Sequence, residues 1–113
     1  MIDFACKKLD LNEVMRCGLG ITKTEQEILN FLIKTEWFTA IDLSKNMKIS
    51  LATAQRSLKN LHEKNLILRR QQNLELGGYL FFYKSQEKEF IKSELKDILS
   101  NWTRNVESSL DKW

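Results

Sequence analysis

Apolar residues recur along the chain at the spacings of three and four that are typical of amphipathic helices. Leu11, Val14 and Met15 share one helical face and predict a first helix, which Gly18 is placed to end. A second helix is predicted over residues 23–35, where a Thr and a Glu three residues apart form a capping-box pattern before an apolar stripe. Since the chain contains no proline, such start and stop signals define most of the predicted boundaries.

Two further helices are predicted in the middle of the chain. Thr39 and Ser50 are both typical N-cap residues, and Asp42 follows Thr39 at a position where the helix dipole favours an acid. The two helices are joined by only the tripeptide KIS, so they must cross steeply, as in a helix-turn-helix. The predicted buried face of the helix after Ser50 consists of Leu51, Ala54, Leu58 and Leu61.

A β-hairpin is predicted directly after these helices. Asn65 tolerates the left-handed backbone conformation that ends many helices. The stretch LILRRQQ then predicts a strand, NLELGG a hairpin tip and YLFFYK the returning strand, with Gly77 and Gly78 supplying the positive φ angles of a tight turn. The aromatic side chains of the returning strand are expected in the core, with base stacking as the alternative role. Three helices followed by a hairpin predict a winged helix.

The last segment, residues 85–113, contains no helix breaker and predicts one long helix. Its apolar stripe is longer than a domain of this size can cover, and a tryptophan such as Trp102 is costly to leave in water. We therefore expect this helix to pair with a second copy of itself and with the N-terminal helix. The predicted homodimer interface consists of Leu11, Val14, Met15, Ile91, Leu95, Ile98, Trp102, Val106 and Leu110.

These elements together predict an α+β, mainly α, fold with three parts. Residues 1–18 are expected to form an N-terminal dimerisation helix, residues 19–84 a winged helix-turn-helix domain, and residues 85–113 a C-terminal dimerisation helix. No stretch is apolar enough to span a membrane, and the N-terminus lacks the features of a secretory signal. The expected location is therefore the cytoplasm, with no membrane partner.

The net charge of +3 is unevenly distributed along the chain. Residues 43–72 carry seven Lys or Arg and a single acid, Glu63, which gives this segment a net charge of +6. On the helix after Ser50, the face opposite the leucines is polar and carries no acid before Glu63. An ordinary solvated helix face is the alternative explanation, but the confinement of the cations to one turn, one helix face and the hairpin favours a phosphate-binding surface.

The stretch TKTEQEILNFLIK, continued by FTAIDLSKNMKISLATAQRSLKNLHEKNLILRR, resembles the winged helix-turn-helix core of the MarR and TrmB-like transcriptional regulators of bacteria and archaea. The resemblance covers about residues 19–84 and is most specific over residues 50–70. The segments GLGIT and GGYLFFYK look closer to TrmB-like proteins than to MarR proteins. Lys48 and Asn65 stand where glycine is common in these families. The resemblance implies a winged helix whose third helix, the recognition helix, binds double-stranded DNA.

A recognition helix fits the major groove of B-DNA, where its N-terminal side chains can reach base edges. The residues best placed for base edges are Ser50, Thr53 and Arg56, with Gln55 at the edge of the exposed face. Arg56 is the natural bidentate partner of guanine. The expected phosphate contacts are Lys45, Lys48, Lys59, Asn60, Arg69 and Arg70. Because adjacent strand residues face opposite ways, one of the two neighbouring arginines is expected to contact the DNA.

No enzymatic, metal or cofactor chemistry is predicted. The chain has no glycine-rich phosphate loop, no paired-carboxylate motif and no arrangement of a nucleophile with a base. Cys6 and Cys17 are expected to be reduced packing residues, with a redox sensor as the alternative, and a single histidine leaves a zinc site without recognisable ligands.

The sequence therefore predicts a homodimeric, sequence-specific regulator of transcription that binds double-stranded DNA, most simply a repressor. One alternative is a winged-helix protein-interaction module of a transcription or replication assembly, which an exposed apolar patch on the wing or recognition helix would favour. Another is a chromatin-like protein that binds any duplex with similar affinity. A small-molecule effector is compatible with the sequence, but no residue identifies one.

Overall fold

The computed structural model describes residues 2–113 and confirms the predicted mainly α winged helix, with a long C-terminal helix. The chain divides into two compact units, one formed by the segment up to Thr22 with Glu89–Trp113, the other by Lys23–Lys88. The elements in chain order are β1 (Ile2–Asp3), β2 (Lys8–Leu9), α1 (Leu11–Leu19), α2 (Lys23–Ile33), α3 (Ala40–Met47), α4 (Leu51–Glu63), β3 (Ile67–Asn73), β4 (Tyr79–Ser85) and α5 (Lys88–Asp111).

The second unit is built around the apolar faces of α2, α3 and α4. Its fully buried side chains are Ile28, Leu29, Leu32, Leu43, Leu58, Leu61, Leu66 and Ile67. Leu51, which the spacing predicts on the buried face of α4, is instead 41% exposed. That prediction is wrong because Leu51 is the first residue of the helix. Its Cα–Cβ bond tilts toward the helix N-terminus, so its side chain lies beyond the turns that pack against the core. Ser57 occupies buried space on this face in addition to Ala54.

Helices α3 and α4 begin at the N-caps that the sequence predicts. The Thr39 hydroxyl accepts a hydrogen bond from the Asp42 amide at 3.1 Å, and the Ser50 hydroxyl accepts one from the Thr53 amide at 3.0 Å. Lys48 ends α3 in the left-handed conformation, with φ of 55°, and donates its amide to the Ser44 carbonyl. A non-glycine residue in this conformation costs about 1–2 kcal/mol, so the tight turn is formed against local strain.

The hairpin of β3 and β4, hereafter the wing, pairs antiparallel from Ile67 opposite Ser85 to Asn73 opposite Tyr79. Asn65 precedes it with φ of 60°, as predicted. Phe38 adds a short third strand, because its amide donates to the Tyr83 carbonyl at 2.8 Å and its carbonyl accepts from the Tyr83 amide at 2.7 Å. The wing is therefore fixed to the segment that connects α2 and α3.

In the first unit, the C-cap of α1 lies two residues later than predicted. Gly20, with φ of 68°, forms the left-handed C-cap, whereas Gly18 lies inside the helix. A Cβ atom at Gly18 would lie 2.5 Å from Cδ1 of Leu95, so the glycine is needed for close packing against α5 and not for a turn. The small β1–β2 hairpin is absent from the sequence-based prediction, because strands of two residues show no visible alternation.

The long helix α5 confirms the predicted C-terminal helix. The exposure of its apolar residues differs along its length. Ile91 and Leu95, in its first half, are buried within the single chain. From Ile98 onward, α5 and the residues that follow it carry exposed apolar side chains that we call the C-terminal stripe: Ile98, Leu99, Trp102, Val106, Leu110 and Trp113. Of the predicted interface residues on α1, Leu11 is exposed and Val14 and Met15 are half-buried. Within residues 2–113, no helix is both long and apolar enough to cross a membrane.

Candidate nucleic-acid interface

The polar face of α4 is open to solvent along most of its length. Gln55, Arg56 and Lys59 are exposed, and Thr53 and Asn60 are half-buried. Ser50 is exposed, but its hydroxyl also donates to the Thr53 hydroxyl at 2.8 Å while it caps the helix. A base contact in which Ser50 donates would therefore have to replace its bond to the Thr53 hydroxyl, whereas the second lone pair of Ser50 can still accept from a base.

The candidate cations around α4 have no carboxylate partner among residues 2–113. Lys45 and Lys48 are exposed at the end of α3, and the only acid of the segment, Glu63, is exposed at the far end of α4. Ion pairs in the described chain join other residues, among them Lys7 with Glu13, Lys84 with Glu36, and Lys92 with Glu89. Uncompensated exposed cations of this kind attract a polyanion over long distances.

The structure separates the two wing arginines. The guanidinium of Arg69 lies 4.3 Å from the centroid of the Phe81 ring, on the wing face that contains Tyr83. The guanidinium of Arg70 lies 4.7 Å from the centroid of Trp37, on the opposite face. The predicted alternation is confirmed.

A groove of about 370 Å³ runs between α4 and the wing, and we call it the wing groove. Its lining includes Gln55 and Lys59 from α4, Arg69 and aromatic residues from the wing, and the start of α3, and none of the described lining residues is acidic. The lining aromatic rings form a ladder, with centroids 5.1 Å apart between Tyr79 and Phe81 and 6.5 Å apart between Phe81 and Tyr83. Tyr83 is buried, as expected, whereas Tyr79 is 56% exposed.

The tip of the wing differs in character from its root. Leu74 is exposed, and Leu76 is as exposed as in an extended peptide, at 103%. Glu75 lies between these leucines, and the chain has no Lys or Arg between Arg70 and Lys84. This apolar tip is not among the predicted functional residues, although the segment NLELGG carries its signal: two leucines beside a turn that must project into solvent.

The structure contains no sign of a metal centre in the part of the chain that it describes. No group of three or more His, Cys, Asp or Glu side chains within residues 2–113 is arranged to hold a metal ion. Cys6 and Cys17 are free thiols and both are exposed, so the expectation that they pack as buried hydrophobes is wrong. Cys6 lies between two very short strands, and Cys17 lies on α1, three residues after Val14.

Three crossing helices, a tight left-handed turn and a two-stranded wing define a winged helix-turn-helix protein. Residues 8–106 match the family of the DnaD N-terminal domain, and the chain belongs to this family.

The chain is also similar to solved structures and to curated relatives. The chain is 36% identical to a possible transcriptional regulator from Methanosarcina mazei, with a TM-score of 0.93 over 100% of this chain and 96% of that chain. An uncharacterised protein of Methanocaldococcus jannaschii is 25% identical over 89% of this chain and 76% of its own length. Staphylococcus aureus MarR, solved with salicylate and kanamycin, shares the fold at 18% identity and a TM-score of 0.55, over 91% of this chain and 66% of that chain.

Proposed function

We propose that the protein is a homodimeric regulator of transcription that binds specific sites in double-stranded DNA, most simply as a repressor. The observation that carries this proposal is the exposed polar face of α4, where cations accumulate and no acid occurs before Glu63. The Methanosarcina mazei relative, described as a possible transcriptional regulator, supports the same class of function.

In this proposal α4 lies in the major groove and its first turns read base edges. Arg56 has the best chemistry for this role, because its planar guanidinium can donate two hydrogen bonds to one guanine. Gln55 and Thr53 lie beside it, and the exposed side chains of Lys45, Lys48 and Lys59 are the proposed phosphate contacts. Affinity should therefore depend on both base sequence and salt concentration.

The homodimer is supported by the C-terminal stripe, which a single chain leaves exposed. A stripe with two tryptophans is costly in water, and a second copy of the same helix offers a self-complementary cover. Two recognition helices related by a two-fold axis would read a roughly palindromic site with half-sites about 34–36 Å apart.

Selection from a random-sequence duplex library with the purified protein tests this function. We expect enrichment of an inverted repeat, and competitor DNA of random sequence should displace that duplex poorly. Equal displacement by random DNA would support the chromatin-like alternative instead. Failure to enrich any duplex at low salt would contradict DNA binding.

The second candidate function is a protein-interaction module, and the exposed wing tip favours it. Leu74 and Leu76 provide an apolar patch on the wing, which is the feature that distinguishes this alternative. A photo-crosslinking residue at position 76 separates the two candidates in cells. Crosslinks to another protein, and none to DNA, would favour the interaction module.

We further propose that the protein acts in the cytoplasm as a binding protein and not as an enzyme. Its candidate site consists of exposed side chains on one helix and one hairpin, which suits recognition of a surface more than the desolvated cleft that catalysis needs.

A further inference from the structure

Arg69 and Arg70 are adjacent and carry the same charge, but the structure surrounds them differently. Arg69 lines the wing groove, which it shares with Lys59 and Gln55 of α4. Arg70 lies on the reverse face of the wing, beside Trp37 and at 5.9 Å from the centroid of Phe82. The two-stranded wing therefore separates the Arg70 side chain from the surface that α4 presents.

The wing groove has the chemistry of a site for a phosphodiester strand. Lys59 supplies one cation from the helical wall and Arg69 supplies another from the wing wall. Tyr79, half-exposed at the outer end of the aromatic ladder, adds a hydroxyl that can donate to a phosphate oxygen. With no acid among the described lining residues, an anionic strand meets attraction from both walls and repulsion from neither.

Arg69 is also held in place before any ligand binds. Its guanidinium rests on the Phe81 ring, and a cation–π contact of this kind restricts a side chain that is otherwise costly to order. The ring lies on one side of the guanidinium, whose five N–H donors are more than one ring contact can occupy. Those donors match the oxygens of a phosphate group.

We propose that the wing groove seats one strand of the DNA backbone, with Arg69 and Lys59 as its phosphate contacts, and that Arg70 lies outside the DNA interface. This inference rests on the proposed DNA-binding function and adds a location for one strand. Arg70 instead joins the wing to the segment that connects α2 and α3, through its contacts with Phe82 and Trp37.

The matched variants Arg69→Ala and Arg70→Ala test the proposal, because each removes one positive charge from neighbouring positions. The probe is a fluorescently labelled duplex that the unaltered protein enriches from a random-sequence library. The measured quantity is the slope of log Kd against log salt concentration. We expect Arg69→Ala and Lys59→Ala each to reduce the slope by about 1.8, since each of the two chains on the inverted repeat neutralises one phosphate fewer. Arg70→Ala should leave the slope unchanged.

Equal slopes for the two arginine variants, or a reduced slope for Arg70→Ala alone, would overturn the inference while leaving DNA binding intact. If Arg69→Ala does not fold, Arg69→Gln replaces it, with Arg69→Lys as the variant that should restore the slope. Failure of Arg69→Lys to restore the slope also counts against a phosphate contact. If the unaltered protein enriches no duplex, the proposed function fails and this inference fails with it.

Discussion

Replacement of Trp102 by alanine should strongly weaken the proposed homodimer. Trp102 is 55% exposed in the single chain. A tryptophan can bury about 250 Å², so roughly 140 Å² of this side chain is available to a partner. At about 25 cal/mol per Å² this area corresponds to about 3.5 kcal/mol per chain, and to about 7 kcal/mol for the two chains of a symmetric dimer.

Interfaces bury such residues incompletely, so we expect Trp102→Ala to remove about half of this free energy of association. A loss of about 3 kcal/mol raises the dimer dissociation constant by about a hundredfold. Sedimentation velocity over a range of protein concentrations measures this constant. The matched control is Arg104→Ala, since Arg104 is exposed two residues later on α5 and points about 200° away. A Trp102→Ala protein that dimerises as well as Arg104→Ala would refute the predicted interface.

Three other predictions concern the stability of the fold, and urea unfolding measures all of them. Lys48→Gly should raise the free energy of unfolding by about 1 kcal/mol, because glycine accepts the left-handed turn, and a lower midpoint would contradict this. Ser50→Ala should lower it by about 1 kcal/mol through loss of the N-cap, and an unchanged value would show that the cap is dispensable. Gly18→Ala should lower it by up to about 2 kcal/mol, since overpacking against Leu95 outweighs the gain in helix propensity. In a Leu95→Ala background the same change should be stabilising, so additive effects would argue against the contact.

Local signals in the sequence were sufficient to predict where α3 and α4 begin. Thr39 and Ser50 cap their helices through bonds to residues three positions away, and such short-range geometry is visible in a sequence pattern. The end of α1 could not be predicted from local signals in the same way, because it depends on a residue that is distant in sequence. Gly18 has the composition of a helix stop, but its role is set by Leu95, which is remote in sequence.

The arrangement of the candidate site was also only partly predictable from the sequence. Alternation along β3 shows that Arg69 and Arg70 face opposite ways, but it does not show which of them faces α4. That choice depends on the contacts of the wing with the α2–α3 connection, where Phe38 pairs with Tyr83 and Trp37 meets Arg70. The exposure of Leu76 depends likewise on how far the hairpin projects, which composition alone does not define.

The central claim is that the cationic face of α4 binds DNA, and a pair of double variants tests it most directly. Arg56→Ala with Lys59→Ala removes two charges from this face, while Lys96→Ala with Lys112→Ala removes two exposed charges from the C-terminal part of the chain. Fluorescence anisotropy with the selected duplex measures both affinities at one salt concentration. We predict that the α4 variant loses at least about tenfold in affinity, because each well-placed arginine contributes about 1–3 kcal/mol of base discrimination. The control should lose far less, and equal affinities for the two variants would contradict the account.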